Sequence, residues 1–103
     1  MSGSGPGVTS DEPLLDCEDI NFITDINSPQ EDALEDLEEG TILNVVLENN
    51  IIVVRRPDND QLVGSINWSA ISRLIECIEE GNEYGATIRD IRGGLVRVQI
   101  THK

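Results

Sequence analysis

Apolar and polar residues alternate most regularly between positions 41 and 56, and this alternation predicts a β-hairpin. Two strand-like runs flank Asn49 and Asn50, and asparagine tolerates the positive φ that a type I′ turn requires. A two-residue loop pairs Glu48 with Ile51 and decides which face each side chain takes. The register places five aliphatic side chains on a face that we expect in the core: Leu43, Val45, Leu47, Ile52 and Val54. The opposite face is half apolar, so we expect it to be partly covered by the N-terminal strand or helix.

Two shorter segments have the pattern of single strands. Residues 20–26 alternate, with Phe22 and Thr24 on the same face as the flanking isoleucines. Residues 62–66 are interrupted by Gly64, which is typical of a bulge or of a close approach by another backbone.

A second hairpin is predicted around Gly93-Gly94, within residues 84–101. Two registers are open for it. A two-residue loop pairs Val98 with Arg89, whereas a three-residue loop pairs Val98 with Ile88. The second register keeps the aliphatic groups together on one face, so we prefer it.

Two segments have helical spacing. The first begins at Ser28, where an N-cap, a proline at the first helical position and Glu31 form a capping box, and it ends before Gly40. Its apolar stripe is narrow, so it must dock to persist. The second runs from about Ser69 to Glu80, and its apolar residues recur on one stripe: Ile71, Leu74, Ile75 and Ile78.

The summed order is β-α-β-β-β-α-β-β. It predicts an α+β fold, with a small, strongly bent antiparallel sheet or partly open β-barrel and two helices. Residues 1–13 are rich in Gly, Ser and Pro and are predicted to be disordered. Residues 14–103 are predicted to form a single domain.

The order of these elements resembles the HIRAN domain. The resemblance covers about residues 20–101 and rests on the segments LEEGTILNVVLENNIIVV and LVGSINWSAISRLIECIEEGNEYGATI, with glycines at Gly40, Gly64 and Gly81. It implies a small β-barrel with helices that is found beside helicase and nuclease modules or alone and binds DNA, including single-stranded ends. The family's loop with Arg-Glu-Pro, Asn and Tyr-Asp is replaced here by Glu48-Asn49-Asn50. Its DNA-contacting residues are therefore not carried over.

Charge is distributed unevenly along the 103 residues, whose net charge is −13. Residues 1–39 hold twelve Asp and Glu and no Lys or Arg, whereas residues 40–103 hold eight carboxylates against seven cations. The overall negative field argues against strong non-specific binding to nucleic acid or membranes. The acidic segment has three interpretations: a partner-binding segment that folds on contact, a mimic of a nucleic-acid backbone, or a docked helix with an acidic wet face and a solubilising tail. We favour the third.

Metal and cofactor chemistry find little support in the residue types. Cys17 and Cys77 lie far apart, no CxxC occurs, and the single histidine, His102, cannot complete a zinc site with them. We expect two unbridged cysteines, with Cys77 a small core residue, in a reducing, cytoplasmic setting. Asp58-Asn59-Asp60 lacks the later residues of a calcium loop, which favours a polar turn. No cofactor, metal or membrane contact is expected.

The candidate site is a group of cations and one aromatic residue. In the preferred register Arg89 lies across from Arg97, with Arg92 in the turn and Lys103 close by. They form either an anion-contacting strip or a solvated surface neutralised by acidic residues such as Asp90, Glu83 or the acidic helix. Trp68, at the junction of a strand and a helix, is either a core plug or a stacking platform, and the core plug is favoured.

These observations predict a non-enzymatic binding or adaptor domain of HIRAN-like type. It would contact an unknown protein partner or, more weakly, nucleic-acid ends. The alternative is a structural or regulatory protein-interaction module that uses the acidic N-terminal segment or self-associates through a sheet edge. A monomer or a weak homo-oligomer is expected.

Overall fold

The computed structural model describes residues 16–103, so the predicted disordered tail, residues 1–13, lies outside the described residues. A 3-10 turn at Cys17–Asp19 precedes six strands and two helices. In chain order these are β1 (Asn21–Asp25), α1 (Glu31–Leu34), β2 (Ile42–Glu48), β3 (Ile51–Arg55), β4 (Leu62–Ile66), α2 (Ile71–Glu79), β5 (Tyr84–Arg92) and β6 (Leu95–His102). The predicted α+β order is confirmed.

All six strands form one antiparallel sheet in the order β1-β6-β5-β2-β3-β4. The sheet curls into a half-barrel, so its two edge strands approach each other. They meet at one bridge, in which the Asn27 N–H donates to the Ser65 carbonyl at 2.8 Å and the Ser65 N–H donates back at 3.1 Å. The Gln30 N–H adds a bond to the Val63 carbonyl at 2.8 Å. Residues 27–30 therefore cover the edge of β4, and the bent, partly open sheet is confirmed.

The first hairpin has the predicted register. Glu48 pairs with Ile51, and Asn49 and Asn50 have φ values of 52° and 64°, as a type I′ turn requires. The predicted core face is buried or half-buried, with Val54 at 0% exposure. On the outer face, Glu48 and Arg55 form a salt bridge diagonally across the Val46–Val53 pair. Strand β1, expected as one possible cover, lies at the far edge of the sheet, and Ile42 and Ile51 of this face are 55% and 53% exposed.

The second hairpin uses both registers that the sequence left open. Next to the turn, Ile91 pairs with Val96, as a two-residue loop requires; farther along, Ile88 pairs with Val98, as the aliphatic face requires. A β-bulge at Arg89 absorbs the difference. The prediction that Arg89 faces Arg97 is therefore wrong.

The first helix is a single turn, Glu31–Leu34, so the helix predicted to begin at Ser28 and run to about Glu39 is wrong in length. Ser28 has a φ of 52° and does not cap the helix, because the backbone around it is tied to β4. At the other end, the Arg56 guanidinium donates to the carbonyls of Ala33 at 3.3 Å and Glu35 at 2.8 Å. A longer helix would have used those carbonyls internally.

The second helix covers the core as predicted. It ends at Glu79, and Gly81, with a φ of +106°, turns the chain away just after it. Leu74 is fully buried against the strands. Val45 and Val98 are 9% and 0% exposed, so the aliphatic faces of both hairpins point inward. Within residues 16–103, neither helix has the length and apolarity needed to cross a membrane.

Cys17 and Cys77 form a disulfide, with Cα atoms 5.5 Å apart and a sequence separation of 60. The expectation of two unbridged cysteines is wrong. Sequence spacing carried no sign of the bridge, because the 3-10 turn reaches α2 only through the folded sheet. The Tyr84 hydroxyl also donates to the Cys17 carbonyl at 2.7 Å. Two contacts therefore anchor the start of the described chain to the core.

Breaking the disulfide is expected to destabilise the protein. Closing a 60-residue loop removes unfolded-state entropy worth about 4 kcal/mol in the chain-entropy model. We expect urea unfolding with and without a dithiol reductant to differ by that order. The Cys17→Ser, Cys77→Ser variant should match the reduced protein and ignore the reductant. An unchanged midpoint in reductant would contradict a stabilising bridge.

Gly64 is expected to resist replacement because the edge-closing segment lies against it. An added Cβ would lie 2.3 Å from Ile26 Cγ2 and 2.7 Å from the Asn27 carbonyl oxygen. We expect Gly64→Ala to lower the free energy of unfolding by about 1–3 kcal/mol, as overpacking does. Gly94→Ala is the matched control, since nothing lies within 4 Å of its added Cβ. Equal unfolding midpoints for both variants would contradict the close approach.

Candidate interaction surfaces

Each arginine of the predicted strip has a partner in the chain. Arg97 Nε lies 3.1 Å from an Asp25 oxygen and Arg92 Nε lies 2.9 Å from an Asp90 oxygen. The bulged Arg89 donates to Gln99 Oε1, at 2.8 Å from Nε. Asp90 forms one of the salt bridges predicted from the sequence, whereas Glu83 forms none with these arginines. The partner Asp25 was not predicted, because β1 and β6 are far apart in sequence.

Lys103 lies apart from the predicted strip. Its Nζ donates to Asn44 Oδ1 of β2 at 2.9 Å. The single histidine, His102, lies close to that end of the sheet, with Nε2 2.9 Å from Asn82 Oδ1 and its ring edge-on to Tyr84. Burial raises the pKa of Tyr84. The described residues contain no group of three or more side chains able to hold a metal ion.

Two further arginines are used structurally. Arg55 donates to both carboxylate oxygens of Glu48, from Nε at 2.7 Å and from Nη2 at 3.0 Å. These hydrogen bonds lower the pKa of the Glu48 carboxyl. Arg56 grips Asp58 in the same way, at 3.0 and 2.8 Å, which lowers the pKa of Asp58. The segment around Asp58 is the predicted polar turn, closed by the Gln61 N–H on Asn59 Oδ1 at 3.0 Å.

Trp68 stacks on Phe22, with ring centroids 3.8 Å apart and planes 8° from parallel. Phe22 belongs to edge strand β1, and Trp68 follows the other edge strand, β4. The pair therefore fills the seam where the half-barrel stays open. Both rings are half-buried and pack against the core, so Trp68 acts as the favoured core plug with part of its surface in water.

The densest group of exposed carboxylates among residues 16–103 lies at α1. Six exposed carboxylates lie on and just after α1, and we call them the acidic α1 surface: Glu31, Asp32, Glu35, Asp36, Glu38 and Glu39. Within residues 16–103, none of the six has a cation at salt-bridge distance. These side chains lie on the single turn and the loop that replace the longer predicted helix.

Two cavities flank the acidic α1 surface. The first, of about 530 Å³, lies between α1 and the start of β4, where Leu62 is 37% exposed. The second, of about 300 Å³, lies between α1 and the turn of the second hairpin, with Leu34 and Ile91 in its wall. Glu31 lines both. The sequence held no signal for these cavities, because each lies between elements that are distant along the chain.

Comparison with known proteins gives no relative. No protein-family model matches the chain, and neither curated proteins nor solved structures include a significant match. Its strands and helices define a small α+β half-barrel.

The arginine pairs on β5 and β6 are expected to add little stability. Arg97 and Asp25 are 54% and 41% exposed, and pairs this accessible contribute less than about 1 kcal/mol each. We expect Arg89→Ala, Arg97→Ala to shift the urea midpoint slightly. Arg56→Ala removes the bonds to Asp58 and also those to the carbonyls of Ala33 and Glu35 at the end of α1. It should therefore shift the urea midpoint more. The reverse order of losses would contradict these assignments.

Proposed function

We propose that this chain is a non-enzymatic binding domain whose acidic α1 surface docks a basic segment of a protein partner. The observation that carries the proposal is the asymmetry of charge pairing. Arg92 and Arg97 form salt bridges and Arg89 donates to Gln99, whereas none of the six exposed α1 carboxylates forms a salt bridge within residues 16–103. Together with a net charge of −13, this favours a cationic partner and speeds its approach.

The flanking cavities narrow the kind of segment. Leu62 at one side of α1, and Leu34 and Ile91 at the other, offer apolar surface beside the carboxylates. Apolar contacts in such depressions hold a ligand after charge has guided it there. An amphipathic segment with Lys or Arg flanking aliphatic residues therefore fits this surface better than a purely basic one.

Nucleic-acid contact is the second candidate. It is favoured by the HIRAN resemblance and by the half-buried Phe22–Trp68 pair, since aromatic rings can stack on bases. Phe22 already occupies one face of the indole, and Arg92 and Arg97 are already paired with carboxylates. These contacts favour a protein partner over nucleic acid. HIRAN membership itself stays a prediction.

The remaining expectations also stay predictions. Self-association through a sheet edge would use β1, since residues 27–30 cover the edge of β4. The Cys17–Cys77 disulfide argues against a cytoplasmic location, because disulfides persist mainly in oxidising compartments.

The test is a titration of the full chain with three probes at low and high salt. The probes are a 12-residue Lys/Leu peptide, its Glu/Leu counterpart and single-stranded DNA of 12 nucleotides, followed by fluorescence anisotropy. We expect the Lys/Leu peptide to bind most tightly and to weaken as salt rises. Glu31→Gln, Glu35→Gln, Glu38→Gln should weaken it at least tenfold.

A matched variant separates the surface from net charge alone. Glu79→Gln, Glu80→Gln, Glu83→Gln removes the same three charges from exposed positions at the end of α2 and the loop after it. This variant should keep its affinity for the Lys/Leu peptide within about twofold. Equal losses in both variants would contradict the α1 site, and tighter binding of DNA than of peptide would favour the second candidate.

A further inference from the structure

An uncharged groove of about 320 Å³ lies at the opposite end of β4 from the acidic α1 surface. It lies between the tip of the first hairpin, the end of β4 and the start of α2. We call it the carboxamide groove, and its lining is polar but neutral at the rim and aliphatic beneath: Asn27, Asn50, Ser65, Asn67, Ile51, Ile52, Ile66 and Ile71.

The polar side chains of the rim have no partners within the described chain. Asn27, Asn50 and Asn67 are exposed, and no side-chain hydrogen bond joins any of them to residues 16–103. Asn27 bridges Ser65 through backbone atoms only. Each carboxamide offers one acceptor oxygen and two N–H donors. Three such groups around one groove can therefore bind a ligand that carries both donors and acceptors.

The floor of the groove is aliphatic. Ile51 is 53% exposed, and Ile52 and Ile66 below it are 1% and 5% exposed. Half-buried Ile71 closes the side toward α2. A ligand that covers Ile51 removes apolar surface from water, which is favourable.

Charge excludes most other ligands. No ionisable side chain lines the groove, so a charged group placed there would lose hydration without a counter-charge. The net charge of −13 adds repulsion against anions. The groove therefore disfavours anions and offers a cation no ion pair, which favours a ligand that is uncharged where it touches the groove.

We infer that the carboxamide groove binds an extended, uncharged segment of a protein chain. A peptide backbone presents N–H and C=O groups in regular alternation, which suits carboxamides. An aliphatic side chain of that segment would cover Ile51. Sugars stack on aromatic rings in many of their sites, and this groove is lined by isoleucine instead. This surface is separate from the acidic one, since Leu62 and Asn67 are about 17 Å apart along an extended strand.

The test pans a displayed library of random 12-residue peptides against the full chain in 0.5 M salt. At that ionic strength the Debye length is only about 4 Å, so contacts to the acidic α1 surface are largely screened. We expect enriched peptides to lack net charge and to contain aliphatic residues. A synthetic copy of one of them should bind Asn27→Ala, Asn67→Ala at least tenfold more weakly than the unchanged protein.

Two controls keep the result decisive. Ile51→Arg fills the groove from a half-exposed position, so it should abolish peptide binding with little change in melting temperature. Glu31→Gln, Glu35→Gln, Glu38→Gln should leave this peptide's affinity unchanged, which separates the groove from the proposed function. Failure to enrich any peptide in 0.5 M salt, or full binding by Asn27→Ala, Asn67→Ala, would overturn the inference. Binding of the groove to immobilised glycans rather than peptides would overturn it as well.

Discussion

The approach of Ile26 and Asn27 to Gly64 brings the two edges of the sheet together. An added Cβ at Gly64 would overlap both residues, so the backbones can approach only because that side chain is absent. The contact decides where the chain goes next. It places α1 beside the start of β4, seats Phe22 against Trp68 in the open seam, and brings Asn27 to the rim of the carboxamide groove. Both candidate surfaces are thus by-products of how the half-barrel closes.

Most arginines of this molecule hold elements of the fold together, whereas the carboxylates of α1 are exposed. The arginines hold strands and turns: Arg55 spans the first hairpin, and Arg56 ties a turn to the end of α1. Of the six α1 carboxylates, Asp36 interacts electrostatically with Arg56, none forms a salt bridge within the described chain, and all are exposed. An acidic chain with its cations engaged internally presents one sign of charge to a partner. The carboxamide groove is the exception, because its lining carries no charge.

Sequence reasoning succeeded where the decisive contacts are local. The Asn49-Asn50 turn and the alternating aliphatic residues predicted the first hairpin and its register, since turn geometry and side-chain period agree there. In the second hairpin these two signals disagreed. The structure satisfies both by a bulge at Arg89, so Arg97 lies opposite Asp90 instead of Arg89. The predicted start of α1 at Ser28 was wrong. It rested on the residues next to Ser28 in sequence, whereas hydrogen bonds to β4 determine the backbone there.

The amino-acid sequence by itself determined the order of strands and helices, the inward faces of the hairpins and the concentration of negative charge before residue 40. These follow from side-chain period, turn residues and composition, which act over a few neighbours. Only the tertiary structure decided that Cys17 meets Cys77, that Arg97 pairs with Asp25, and that grooves form at either end of β4. Those contacts join residues far apart along the chain. Their proximity depends on how the curled sheet places distant elements, which no local pattern encodes.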